Sequence, residues 1–310
     1  MSTIFVAIES IRSNSNALNK LRRCFDDVVL ASSRSRAMEE LATMAQTVDA
    51  VLIGVKERIT PQLLEMMPRL RAIATISTGT DHIAIEAATP RDIALLTAPG
   101  ANSRAVAEHA LTLTLALTKQ VFAGDRACRT GLDWAGLPHL PKILSGRQVG
   151  LVGSGATARE LIQLLTPFKC PIKIWTRDAA KHSDLTDSGD FCSLEELFSV
   201  CSVVSVHLPL TSETLGLIDG NLIKRLPEGA VLINVARLKL FDIPAVLAAL
   251  DERTDIRLGI DALSLKEAGF CELGSDRIIT TPHIAGVTVE TLHRMEDVVV
   301  DKLVALFNRG

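Results

Sequence analysis

Residues 149–165 read VGLVGSGATARELIQLL, and this stretch decides the fold. A short apolar run, VGLVG (149–153), reads as a buried strand, and ARELIQLL has the spacing of an amphipathic helix. Between them Gly153, Ser154, Gly155, Ala156, Thr157 and Ala158 spell G-x-G-x-x-A. The first two glycines permit a tight turn and close approach of backbone to a pyrophosphate, whose charge sits at the helix N-terminus. Ala158 is small enough for close helix–strand packing. A glycine-rich turn before a helix is often only a turn. Here a strand precedes it, a helix follows, and a second strand, IKIW (172–175), comes next, as in a dinucleotide-binding unit.

That second strand ends in Thr176 and Arg177, about twenty residues after the glycines, where such units usually place an acid on the ribose 2′-hydroxyl. A solvated strand end is the competing explanation. A guanidinium, however, makes charge-assisted hydrogen bonds to a 2′-phosphate that a carboxylate would repel. The expectation is therefore NADP(H) in preference to NAD.

Outward from this unit the same alternation continues. VVSVHL (203–208), AVLINV (230–235), LGIDA (258–262) and IITT (278–281) complete six strands, the size of a whole dinucleotide-binding domain. Upstream, TIFVAI, VVLA, AVLIGV, AIATIS and ALLTA read as five more strands separated by helical patterns, which implies a second parallel sheet. A gap-free stretch, 103–120, reads as a long helix leaving the first domain, and the final helical segment, 288–307, is expected to pack back toward it. The class is α/β with two Rossmann-like domains. The expected boundaries are 1–99 with 288–310, and 100–287.

Composition narrows the function. With 310 residues, 47% hydrophobic and a net charge of −3, the chain can bury a core and has no basic excess for nucleic acid or an anionic membrane. The six cysteines have no C-x-x-C pair and no zinc spacing, so no metal is expected and the thiols read as reduced. No apolar run reaches membrane-spanning length, and the start lacks the pattern of a secretory leader, so a cytoplasmic location is expected.

The glycine loop, SVVSVHLPLTSET (202–214), GAVLINVAR (229–237), LGIDA and TTPHIAGVT (280–288) follow in the order and spacing of the D-isomer-specific 2-hydroxyacid dehydrogenases. ATISTGTDHIAIEAA (74–88) and APGANSRAVAEHAL (98–111) resemble that family's substrate domain and crossing helix. The resemblance spans essentially the whole chain. The WTR strand end looks most like the NADPH-using glyoxylate/hydroxypyruvate reductases. It implies a flavodoxin-like substrate domain, split between the N-terminal segment and the C-terminal helix, around a central doubly wound cofactor domain. It also implies a small-molecule keto acid substrate, a homodimer contacted through the stretch around Trp134, and an Arg, Glu, His catalytic set.

Each assignment has a chemical rationale. His283 follows a strand at the carboxyl edge of a sheet, and an imidazole that titrates near neutrality suits protonation of a carbonyl oxygen. Arg237, another strand end, can neutralise a carboxylate and polarise the adjacent carbonyl. Thr78 and Gly79 resemble the turn whose N–H groups receive the substrate carboxylate. His207, Pro209, Val235, Ala236, Asp261, Ala285 and Gly286, with Ser154, Ala156 and Thr157, resemble cofactor-lining positions. His109, in the crossing helix, reads as structural.

The pattern breaks in four places, and mildly at two of them, Ser202 and Ala84, where many relatives carry Asp. The family's glutamate stands five residues after the aspartate matching Asp261, which here is Lys266, with Glu267 one later. Either an insertion lets Glu267 reach His283, or the carboxylate is missing; a carboxylate would raise the imidazole pKa and orient the ring, and a lysine would do the reverse. After Arg237 the family commonly has Gly-Gly, and Leu238-Lys239 at those positions implies a reshaped pocket or a tilted arginine. Three readings stay open: a reductase of small 2-keto acids, one acting on a bulkier keto acid, or a nucleotide-sensing homologue with little turnover.

Overall fold

Ala50–Ile53 is apolar at every position and Val203–Val206 at all but the buried Ser205, so neither face can stay in water, and they become inner strands of parallel sheets. A computed structural model describes residues 1–137, 139–266, 268–271, 273 and 277–308. The chain divides into two compact units, Met1–Asn102 with Thr288–Gly310, and Ser103–Val287.

In the first unit β1 (Thr3–Val6), β2 (Asp27–Leu30), β3 (Ala50–Ile53), β4 (Ala72–Thr75) and β5 (Ala94–Leu96) form a parallel sheet in the order β2-β1-β3-β4-β5. This is the flavodoxin-like order. The helix Val289–Phe307 belongs to this unit. Thr288 caps it, its hydroxyl accepting the Thr291 N–H at 3.2 Å while the Thr291 hydroxyl accepts the Thr288 N–H at 2.9 Å. Its Met295, Val299, Val300 and Leu303 share a core with Ile4, Val6, Leu18 and Leu21. Glu296, wholly buried on the same helix, accepts from Asn14 Nδ2 at 3.0 Å and from the Ser10 hydroxyl, and burial pushes its carboxyl above the usual range.

In the second unit β6 (Val149–Val152), β7 (Ile172–Trp175), β8 (Asp190–Phe191), β9 (Val203–Val206), β10 (Val231–Asn234), β11 (Arg257–Asp261) and β12 (Ile278–Thr281) form a parallel sheet ordered β12-β11-β10-β9-β6-β7-β8. Six of these match the expected strands. The seventh, β8, is two residues long and carries no periodicity to read; it is held at the edge by its pairing with β7 and by Lys173, whose ammonium lies 3.5 Å from Asp190. The order reverses between β6 and β9, so the crevice outside their carboxyl ends is where such a sheet takes a ligand.

Leu303→Ala empties a fully buried position in the first unit's core. It should lower unfolding free energy by about 3 kcal/mol in urea denaturation; a loss within error would separate the final helix from that core.

Candidate active site

The glycine loop leaves β6 at the reversal point. Gly153 has φ +115°, and a Cβ there would lie 2.7 Å from the His207 carbonyl oxygen, so only glycine fits. Gly155 is the N-cap of the helix Ala156–Leu165, has no side-chain cap, and has nothing within 4 Å of where its Cβ would stand. Gly155 and Ala156 are exposed and Thr157 half-buried, so the first-turn N–H groups can meet an anion. Ser154 is buried and its hydroxyl donates to Thr176 Oγ1 at 3.0 Å, tying the loop to the end of β7.

His207 follows β9 across the same crevice. Both ring nitrogens are buried without a hydrogen-bond partner among the described residues, and burial pushes the imidazole down to about 4, so it is neutral at pH 7. Leaving such groups unmet costs about 1–3 kcal/mol, which a polar ligand in the crevice would offset. The glycine turn, the open helix terminus and these orphaned nitrogens fit a dinucleotide.

Arg177 is half exposed and ion-paired with Glu213. The loop carrying Glu213 is organised by the buried Thr214, whose side-chain oxygen accepts the Thr211 N–H at 2.8 Å and donates to the Pro209 carbonyl at 2.7 Å. Neither Glu213 nor Thr214 was expected from the sequence; the spacing of 36 residues between the ion-pair partners hides the contact.

Arg237 is presented by a turn that sequence reasoning also missed. Asn234, at the end of β10 and almost fully buried, accepts the Ala236 N–H at 3.0 Å and donates to the Arg237 carbonyl at 3.0 Å. An Asn two residues before a turn N–H is the available signal. Val235 is buried and Ala236 half-buried. Leu238 packs against the unit's core and Lys239 is exposed, so the Gly-Gly departure is absorbed away from the Asn234 clamp.

His283 has φ +60°, in the left-handed region that a side-chain-bearing residue enters only when held there. Its N–H donates to the Thr281 carbonyl at 3.0 Å. The next two N–H groups, of Ile284 and Ala285, donate to the buried Asp261 carboxylate at 2.8 and 2.7 Å, and the Thr281 hydroxyl donates to it at 2.6 Å. Asp261, read from the sequence as cofactor-lining, organises the loop of His283, Ala285 and Gly286. Lys266 is exposed; Glu267 lies outside the described residues.

Thr78 and Gly79 lie in the first unit, just after β4. Their turn is fixed from within: the Ser77 hydroxyl donates to the Gly79 carbonyl at 2.6 Å and lies 2.9 Å from Thr75 Oγ1, which also meets His82 Nε2 at 3.1 Å.

A doubly wound sheet, a glycine loop at its reversal point, and Arg and His at carboxyl strand ends define a dinucleotide-dependent oxidoreductase. Residues 111–285 match the family described as D-isomer specific 2-hydroxyacid dehydrogenase, NAD binding domain, and the chain belongs to that family of NAD(P)-dependent enzymes. It is 31% identical over 303 residues to a glyoxylate reductase of Pyrococcus furiosus, covering 95% of this chain and 90% of the relative. A D-isomer specific 2-hydroxyacid dehydrogenase from Polaromonas, described as putative in its own structure, superposes with TM-score 0.83 at 26% identity, covering 100% of this chain and 97% of that one. A D-lactate dehydrogenase from Aquifex aeolicus, solved with NAD and lactic acid, has the same fold at TM-score 0.86 and 24% identity, covering 99% and 96%.

Gly153→Ala would drive a methyl into the His207 carbonyl at a positive φ. It should destabilise by about 2 kcal/mol and weaken NADPH and NADH binding together. Unchanged titrations with both cofactors would show that the turn does not receive the pyrophosphate.

Proposed function

We propose that this chain reduces a small 2-keto acid, glyoxylate or hydroxypyruvate, to a D-2-hydroxy acid with NADPH. The observation that carries the reading is the placement of Arg237 after β10 and His283 after β12, at the carboxyl edge of the sheet that holds the glycine loop. The name of the Pyrococcus furiosus relative supports the substrate class. Gly153, Gly155 and the first turn of the helix after them would hold NADPH, which when bound would supply the hydride. Arg237 neutralises the substrate carboxylate and polarises the carbonyl, and His283 donates the proton to the carbonyl oxygen. Glu267 is the candidate for orienting and charging His283.

NADPH is favoured because Arg177 occupies the strand end where an NAD site carries an acid. Its present partner, Glu213, is an exposed carboxylate, and an exposed pair of this kind holds weakly enough for a 2′-phosphate to replace it. A homodimer completes the proposal, supported by the exposed Val121, Phe122, Leu132, Trp134, Leu140 and Ile143, an apolar series on a segment that a partner would cover. The six free cysteines fit a reducing cytoplasm.

Absorbance of the reduced nicotinamide, followed with a panel of keto acids and with NADPH and NADH in parallel, tests the reaction. Glyoxylate or hydroxypyruvate should be turned over faster with NADPH; preference for a larger keto acid would replace the substrate, and binding without turnover on any of them would sink the reading. Arg177→Ala should weaken NADPH roughly tenfold or more and leave NADH within about twofold. Equal losses would leave Arg177 a solvated strand end. Light scattering should give twice the 33.4 kDa chain mass, and a single-chain mass would remove the dimer.

A further inference from the structure

The helix Ser103–Thr118 lies tightly on the second unit's sheet. Its Ala107 and Ala110 are fully buried, and a Cβ added to Gly259 in β11 would stand 3.1 Å from Leu113 Cβ. With the helix pinned there, His109 Nε2 comes to 3.0 Å from Thr281 Oγ1. The Thr281 hydroxyl has one hydrogen and donates it to Asp261 Oδ1, because an ionised carboxylate can only accept. Its oxygen must then accept from His109, which places the His109 proton on Nε2. Burial pushes the His109 imidazole down, against the pull of Asp261 4.0 Å away, and keeps it in this neutral form.

The chain of bonds runs onward. Asp261 holds the N–H groups of Ile284 and Ala285, and Thr281 holds that of His283 through its carbonyl, so three bonds fix the backbone at and just after a left-handed residue. Without a donor at position 109 the Thr281 oxygen loses the bond that helps orient its hydrogen toward Asp261.

We propose that His109 is a positioning residue for His283, acting through the Thr281 hydroxyl and the Asp261 carboxylate; this rests on the reading of His283 as the proton donor. The test compares His109→Leu, His109→Gln, Thr281→Val and the double variant His109→Leu/Thr281→Val. His109→Leu should lower kcat about tenfold, a larger change than that in the KM for NADPH, since the glycine turn is left in place. His109→Gln, whose amide can donate to the same hydroxyl, should recover most of the loss, and the double variant should be no worse than Thr281→Val. In histidine-labelled NMR spectra of the protein without cofactor, the His283 ring signals should move in His109→Leu and return in His109→Gln. Wild-type kcat with unmoved His283 signals in His109→Leu, equal losses in the Leu and Gln variants, or additive losses in the double variant would overturn the proposal. Failure of the underlying reading looks different: His283→Asn would keep turnover, while the His283 signals would still move in His109→Leu.

Discussion

The approach of Gly153 to the carbonyl of His207 is the constraint on which the rest of the site depends. A side chain at that glycine would have 2.7 Å in which to fit, so β6 can turn into its helix directly beside the end of β9 only without one. Because strand order reverses between these two, their connections depart to opposite faces and leave the crevice between them. The rest is arranged around that opening. Thr176 and Arg177 come from β7 on one side; the 207–214 loop, the Arg237 turn and the His283 loop come from β9, β10 and β12 on the other.

The loops are made specific by short polar side chains at or near strand ends. Asn234 folds the turn bearing Arg237, Asp261 gathers the N–H groups after His283, Thr214 closes the loop that carries Glu213, and Ser77 closes the turn at Gly79. Each satisfies backbone groups that sheet pairing cannot reach, in a region where a buried unmet donor costs about 1–3 kcal/mol. Charged groups can therefore stand on loops and still be held in place. His283 shows the arrangement most fully, since its φ of +60° persists only with such support.

The strands were legible because parallel strands are buried on both faces and read as short, largely aliphatic runs, AVLI among them. The glycine loop was legible because its spacing has a steric cause. β8 was not, since two residues carry no period. The loop-shaping residues were harder: Asn234 and Thr214 matter through bonds to backbone that exist only once the turn has formed. The pairing of Arg177 with Glu213 joins residues 36 apart, and the bond from His109 to Thr281 joins residues 172 apart. Residue types at strand ends suggested a chemistry, whereas the partners that aim them needed the fold.

On the proposed reading, His283 donates the proton that completes keto acid reduction. The pH dependence of kcat/KM for glyoxylate or hydroxypyruvate with NADPH, in the native enzyme and in His283→Asn, tests it most directly. The native rate should fall as pH rises through the imidazole's titration; His283→Asn should lose that dependence and about 10²–10⁴-fold in rate, with NADPH affinity kept. A variant that retained both the native rate and the native pH profile would contradict the account.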